Sequence, residues 1–387
     1  MRSATTTTGT ALWSLLTVIS LLKEGCLAKT SLQVGSCDDL KLAALTTAQD
    51  GVDAEFTETT ITCDEWTTLE IENNKLKLFN NMVTNNGRVN LENIRFVVKP
   101  TGTLRVDNTV YFLPTDDTST QEVDGGALNV ESGGFARFKG LVRFTDMRLL
   151  SETGGEDFSP DVWNGGAIYN EGKIRFDEHV TITGSDISGG GESGPGDGAG
   201  IYNAGRITAY DGLTVTDCRS YDDGVGNGAG FFNAEGGTLS VKGGNSAFED
   251  NIAAIGAGMY NLGTVSFDSD AVASFAGNRA ADGDGGHLFN GGGEALFSGG
   301  SLFYGGVAES GGAIAINDGT VTLEGASMFV SNDGTWSGAG AILVGMDGTL
   351  VTTNADLIFL GNEGDDDGCD DILYSSSMYT STFTCGP

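Results

Sequence analysis

Three acidic stretches hold the side chains best placed to do chemistry: "SETGGEDFSPDVW" from Ser151, "SDISGGGESGPGDG" from Ser185 and "DCRSYDDGVGN" from Asp217. They contribute Glu156, Asp157 and Asp161, then Asp186 and Asp197, then Asp222 and Asp223. Clustered carboxylates offer the oxygen ligands a hard cation takes, so these seven are candidate ligands for Ca²⁺. The competing reading is solvated loops with no fixed ligand geometry. Basic residues gather early, at Arg88, Arg95, Lys99, Arg105, Arg137, Lys139, Arg143, Arg148, Lys173 and Arg175. Lined along one groove they would grip an anionic polymer; scattered over a solvated strand face they would do nothing of the kind. The two histidines, His179 and His287, have no sequence partner that suggests a triad or a metal cluster, and His287 is expected to pack at a corner.

What positions these residues is a repeat. The copies run "GGALNVESG" (Gly125), "GGAIYNEG" (Gly165), "GAGIYNAG" (Gly198), "GAGFFNAEG" (Gly228), "GAGMYNLG" (Gly256), "GGHLFNGG" (Gly285), "GGAIAINDG" (Gly311) and "GAGAILVG" (Gly338). Each is followed by period-2 segments such as "KIRFDEHVTIT", and several units close on F-x-x-N at Phe248, Phe275, Phe329 and Phe359. Units of this kind are short strands joined by Gly and Asn corners, and one alone cannot bury its apolar face. Stacked one coil per repeat, each strand bonds to its copy in the next coil. The fold expected is all-β: a single-domain right-handed parallel β-helix of about ten coils, near 45 to 50 Å long at the strand spacing. The fourth motif position (Leu128, Ile168, Ile201, Phe231, Met259, Leu288, Ile314) should point inward. At the sixth, Asn170, Asn203, Asn233, Asn261 and Asn290 should stack with their amides bonding from coil to coil. The three acidic stretches fall just before the motif, so they emerge on one edge of the solenoid.

The ends have their own signals. Residues 1–28 carry "ALWSLLTVISLL" and end in "CLA", the pattern of a secretory signal peptide, too short to span a bilayer. Residues 29–68 are expected to form an N-terminal cap with a short helix in "SCDDLKLAALTTAQDG", residues 69–362 the β-helix, and residues 363–387 a C-terminal cap. In an oxidising compartment Cys37 with Cys63, and Cys369 with Cys385, could each staple one end, leaving Cys218 as a buried thiol. The chain carries a net charge of −33, and loss of the leader leaves 18 basic and 52 acidic side chains, a net −34. No Lys or Arg follows Arg279. Such a chain repels polyanions and is not expected to bind nucleic acid. No stretch after the leader is long and apolar enough to span a bilayer as a helix.

Alternating GGA[IL] and F-x-x-N in units of about thirty residues resembles the repeat of the chlamydial polymorphic membrane proteins, a β-helical passenger family. The resemblance runs from Gly125 to Asn362 and implies cell-surface exposure and adhesion, with an extracellular-matrix or cell-surface glycan or protein as partner. Members carry a C-terminal outer-membrane barrel, for which the stretch ending "TFTCGP" leaves no room, so secretion is expected instead. Right-handed β-helices also carry polysaccharide lyases and epimerases, which makes a polysaccharide-active enzyme the alternative. Polygalacturonase-like and epimerase-like signatures do not match; a pectate-lyase-like site would need an Arg beside Ca²⁺-binding carboxylates in one groove. The leading expectation is therefore a secreted, non-catalytic binding protein.

Overall fold

The computed structural model describes residues 30–46, 51–81, 87–115, 124–150, 164–188, 196–220, 226–335, 338–353, 355–364 and 370–374. Residues 1–28, expected to form a signal peptide, lie outside that set, as do Glu156, Asp157, Asp161, Asp222, Asp223, Cys369 and Cys385. The described chain is nearly all β, a parallel β-solenoid of about nine turns with one short helix near its N-terminus.

Each turn visits three faces in order. The motif face holds strands such as Ile168–Asn170 and Ile201–Asn203, the second face Lys173–Phe176 and Arg206–Ala209, and the third Val180–Thr183 and Leu213–Thr216. A short fourth ladder of seven strands, from Arg148–Leu150 to Asp333–Gly334, closes the turn before the next motif. The register places like on like: Ile168 pairs with Ile201, Tyr169 with Tyr202 and Asn170 with Asn203. Because side chains alternate along a strand, the fourth and sixth motif positions go inward and the fifth outward. Leu128, Ile168, Phe231, Met259, Leu288 and Ile314 are accordingly sealed from solvent, and Ile201 nearly so.

The corners explain the small residues. Gly165 opens its motif at φ +70°, and a Cβ there would lie 2.3 Å from the carbonyl oxygen of Ile168, so only glycine fits. Inside, the Phe that begins F-x-x-N stacks on its copy in the next turn, Phe248 on Phe275, Phe303, Phe329 and Phe359, with centroids 4.8 to 5.1 Å apart. That interval is the strand spacing itself, so the register sets the ring stack.

At the N-terminal end, helix α1 (Cys37–Leu45) starts at Ser36, whose hydroxyl accepts from the Asp39 amide at 3.2 Å, with Asp38 and Asp39 in the first turn. Leu40, Ala43 and Ala44 are buried against the first strands, and a Cys37–Cys63 disulfide ties the helix to the strand Thr60–Ile71. Strand pairing begins ahead of residue 69: Thr30–Val34 pairs with Val52–Phe56, and that with Lys75–Phe79. The helix is thus an excursion between strands already in the second-face column. At the other end Ile372–Tyr374 adds a last strand to the motif face. No helix among the described residues is long and apolar enough to cross a membrane.

Candidate functional site

Two polar columns run through the interior. The first is the motif Asn column. Asn170 Nδ2 donates to Asn203 Oδ1 (2.7 Å), Asn203 to Asn233 (2.8 Å), Asn233 to Asn261 (2.8 Å) and Asn261 to Asn290 (2.7 Å). All five are sealed from solvent. Asn290 ends the run by donating to the carbonyls of Gly293 and Asp318, while Asn170 Oδ1, facing the apolar rungs before it, has no partner among the described residues.

The second column is the Asn of F-x-x-N, at the corner after the third face. Asn251 Oδ1 accepts from the Cys218 amide, Asn278 Oδ1 from the Asn251 amide and Asn362 Oδ1 from the Asn332 amide, while each Nδ2 donates to a third-face carbonyl of the preceding turn. The residue just before takes a left-handed conformation even where it is not glycine, as at Asp217 (φ 56°) and Asp250 (φ 54°). Cys218 sits in this column as the buried free thiol, its pKa pushed up to about 12 by burial. One turn breaks the pattern: "FYGG" puts Gly306 where Asn is due. His287, from the neighbouring motif, fills the space. Its Nδ1 accepts from Asn278 Nδ2 (2.9 Å) and its Nε2–H donates to Asn332 Oδ1 (3.1 Å). Burial pushes its pKa down to about 3, so the imidazole is neutral. The histidine is a ladder member with two amide partners, which the sequence did not reveal.

The outer surfaces differ from face to face. On the motif face the fifth position forms a stack of rings, Tyr169, Tyr202, Phe232, Tyr260 and Phe289, at 4.9 to 5.2 Å. Partial burial raises the pKa of Tyr169, Tyr202 and Tyr260. On the second face the early basic residues meet acids. Arg105 pairs with Asp107 (2.6 Å), which Lys77 and Lys139 also approach; Arg137 (2.6 Å) and Arg175 both pair with Asp177. Burial alone would raise both Asp pKa values, but the surrounding cations hold them below the usual carboxylate range. Lys99 bridges Glu131 (2.7 Å) and Glu70 (3.3 Å), and Arg95 turns inward to the carbonyls of Gly125 and Asp124.

The third face carries two unlike ends. At the N-terminal end a cleft of about 550 Å³ is lined by Thr60, Arg88, Asn90, Thr109, Tyr111 and Leu141, among others. At the other end Leu302, Met328 and Ile358 form one outward column and Tyr304, Val330 and Leu360 the next. Tyr304 is 52 % exposed, Ile358 43 % and Leu360 51 %.

Of the candidate Ca²⁺ ligands, Asp186 and Asp197 are described. Asp197 Oδ1 accepts from the Asn227 amide (2.9 Å) and side chain (3.1 Å), one step in a corner column that also links Asp124 to Asn164 and Asn164 to Asp197. Burial pushes its pKa up to about 6. Asp186 is also raised by burial, against the pull of Arg148 and Arg219. Among the described residues no group of three or more His, Cys, Asp or Glu side chains could hold a metal ion. His179 bonds the Asp211 carbonyl and the Thr214 hydroxyl.

The chain matches no protein-family model, no curated protein and no solved structure. Its geometry alone defines the class: a parallel β-solenoid with a sealed interior and chemically distinct outer faces.

Proposed function

We propose that this chain is a secreted, non-catalytic binding protein that acts at a cell surface or in the extracellular matrix. The observation that carries the reading is the apolar end of the third face. Six apolar side chains from three successive rungs lie side by side and outward, in a stretch of chain with no basic residue. Contiguous exposed apolar surface of this kind marks contact with a partner. The Cys37–Cys63 disulfide is compatible with an oxidising, extracellular setting, and the motif resemblance to surface-exposed passengers points the same way. In sequence the acidic stretches fall between the fourth-ladder strands that end at Leu150, Ser188 and Ser220 and the motifs that follow, where Ca²⁺ would act if it bridges them to a partner.

The test is retention of the full chain on arrays of matrix proteins, cell-surface proteins and glycans, with and without Ca²⁺. Met328→Glu and Ile358→Glu, on exposed positions, should abolish retention on a protein partner without lowering the melting temperature. Retention that both variants leave intact would remove the apolar face from the account.

The second reading, a polysaccharide-active enzyme, is favoured by the alignment of Arg105, Arg137, Arg175, Asp107 and Asp177 on one face. Those carboxylates are already occupied by cations, which leaves them poor Ca²⁺ ligands. New unsaturated or reducing ends from pectate or alginate would establish it.

A further inference from the structure

We infer that the cleft at the N-terminal end of the third face binds an acidic saccharide, through Arg88 and Arg143 set around Tyr111. This deepens the binding reading above and rests on it.

The register builds the site from successive turns. Thr60 pairs with Asn90, Asn90 with Tyr111 and Tyr111 with Arg143, so four outward side chains form one column. Arg88 enters from the adjoining corner and lays its guanidinium 3.8 Å from the Tyr111 ring centroid; that of Arg143 lies 5.7 Å from the same centroid. Cation–π contact accounts for the placement of each arginine, but not for two like charges sharing one ring. Among the described residues Arg88 spends only its Nε, on Asn90 Oδ1 at 3.0 Å. Neither guanidinium pairs with a carboxylate among the described residues, whereas Lys77, Lys99, Arg105, Arg137, Lys139 and Arg175 all do. In a chain of net charge −33, two arginines without acid partners beside one cleft concentrate positive charge there.

The cleft's chemistry suits an anion carried on a hydroxylated scaffold. The free guanidinium nitrogens of Arg88 present the fork that binds a carboxylate or sulfate in bidentate fashion. Around it stand the hydroxyls of Thr59, Thr60 and Thr109 for sugar hydroxyls, and Leu141 offers an apolar edge. A volume of about 550 Å³ lies in the range of small-ligand sites and accommodates a short oligosaccharide. The acidic remainder of the chain disfavours a long polyanion lying along it.

The experiment titrates the full chain by calorimetry, at fixed ionic strength, with trigalacturonate, a heparin-derived hexasaccharide, neutral cellotriose and a pentaglutamate peptide. The two acidic saccharides separate a uronate from a sulfate requirement. At least one should bind and cellotriose should not. Arg88→Gln should weaken binding roughly ten- to a hundredfold and Arg143→Gln less, as expected for loss of charge-assisted contacts. Arg206→Gln, an exposed cation on the second face, should change nothing. Arg143 is exposed, so its variant reports on binding even if Arg88→Gln fails to fold. Equal affinity for cellotriose, binding of pentaglutamate alone, unchanged affinity in the Arg143 variant, or no heat with either acidic saccharide overturns the inference. Retention of the chain on a protein partner in those cases would leave the broader binding reading standing.

Discussion

Replacement of His287 by Ala should produce a stability loss that depends on pH in a way only this residue explains. The ring is sealed from solvent and held by Asn278 and Asn332, and burial lowers its pKa to about 3 from an unfolded value near 6.5. With the folded pKa depressed, the unfolded chain takes up a proton that the folded chain refuses. The contribution to stability is therefore complete above about pH 6.5 and is lost as pH falls toward about 3. The loss runs at about 1.4 kcal/mol per pH unit, so at pH 4.5 it amounts to about 3 kcal/mol. At pH 8 the variant should be less stable by about 3 kcal/mol, from the cavity and the loss of one hydrogen bond at each of Asn278 and Asn332, which keep their bonds to the Phe248 carbonyl and the Gly306 amide. By pH 4.5 wild type should have lost most of that advantage. Urea unfolding of both proteins by far-ultraviolet circular dichroism at pH 8, 6 and 4.5 gives the gap directly, since every other titrating group is common to the pair. A gap of the same size at pH 8 and pH 4.5 would refute the burial argument.

Asp197 behaves with the opposite sign: its pKa is raised to about 6, so its cost is present at neutral pH and vanishes below about pH 4. Asp197→Asn keeps an acceptor for Asn227 and should raise stability by about 1–2 kcal/mol at pH 8 and by nothing at pH 3.5; if Asp197 is instead a Ca²⁺ ligand, the variant should lose a Ca²⁺-dependent rise in melting temperature. Asn233→Ala removes the acceptor of Asn203 Nδ2 and leaves Asn261 Oδ1 with the Gly263 amide, and should cost about 2–4 kcal/mol in the same unfolding assay. Asn170→Ala, at the partnerless end of the column, should cost clearly less. Reduction of Cys37–Cys63 opens a loop with a sequence separation of 26 residues and should destabilise the N-terminal turns by about 3–4 kcal/mol on the chain-entropy estimate. Hydrogen exchange resolved by peptide should place that loss at residues 30–80 and leave later turns protected.

The interior was legible because repetition exposes it. A residue type that recurs at one motif position marks one place in every turn, and that is how the column from Asn170 to Asn290 and the inward Ile, Leu, Met and Phe are legible in the sequence. His287 could not be read that way. Its role depends on Gly306 lacking a side chain in the adjoining corner, and the two substitutions sit at different motif positions. Aligning the F-x-x-N closures through "FYGG" would have flagged the missing Asn, though not the residue that replaces it. The outer faces were less legible still. The fifth motif position reads Tyr, Tyr, Phe, Tyr, Phe and was a signal available in the sequence. The cleft around Tyr111 takes its residues from less regular early turns, where no motif marks them. Asp197 has a role that its place in an acidic stretch did not show: its Oδ1 accepts from the Asn227 amide in a corner column.

The placement of the two polar columns argues that they fix register. Apolar residues in the register of the sixth motif position, Ile71, Val98 and Val130 before the column and Ile316 and Val344 after it, would stack as well in neighbouring alignments. Asn would not, because a two-residue shift of one strand along the next sets a buried amide against the inward Ile, Phe, Met or Leu of the fourth position and leaves its donors and acceptors unmet. The motif column covers the turns from Asn170 to Asn290, and the corner column, with His287 standing in at the broken turn, those from Asn251 to Asn362. Together they carry register information without a gap across the region where the repeat is most regular and a shift of strand on strand would otherwise cost least. With alignment secured from inside, the outward positions are released from that duty. One solenoid can then hold a ring stack, an ion-pair ladder, a cationic cleft and an apolar end on surfaces that share the same backbone.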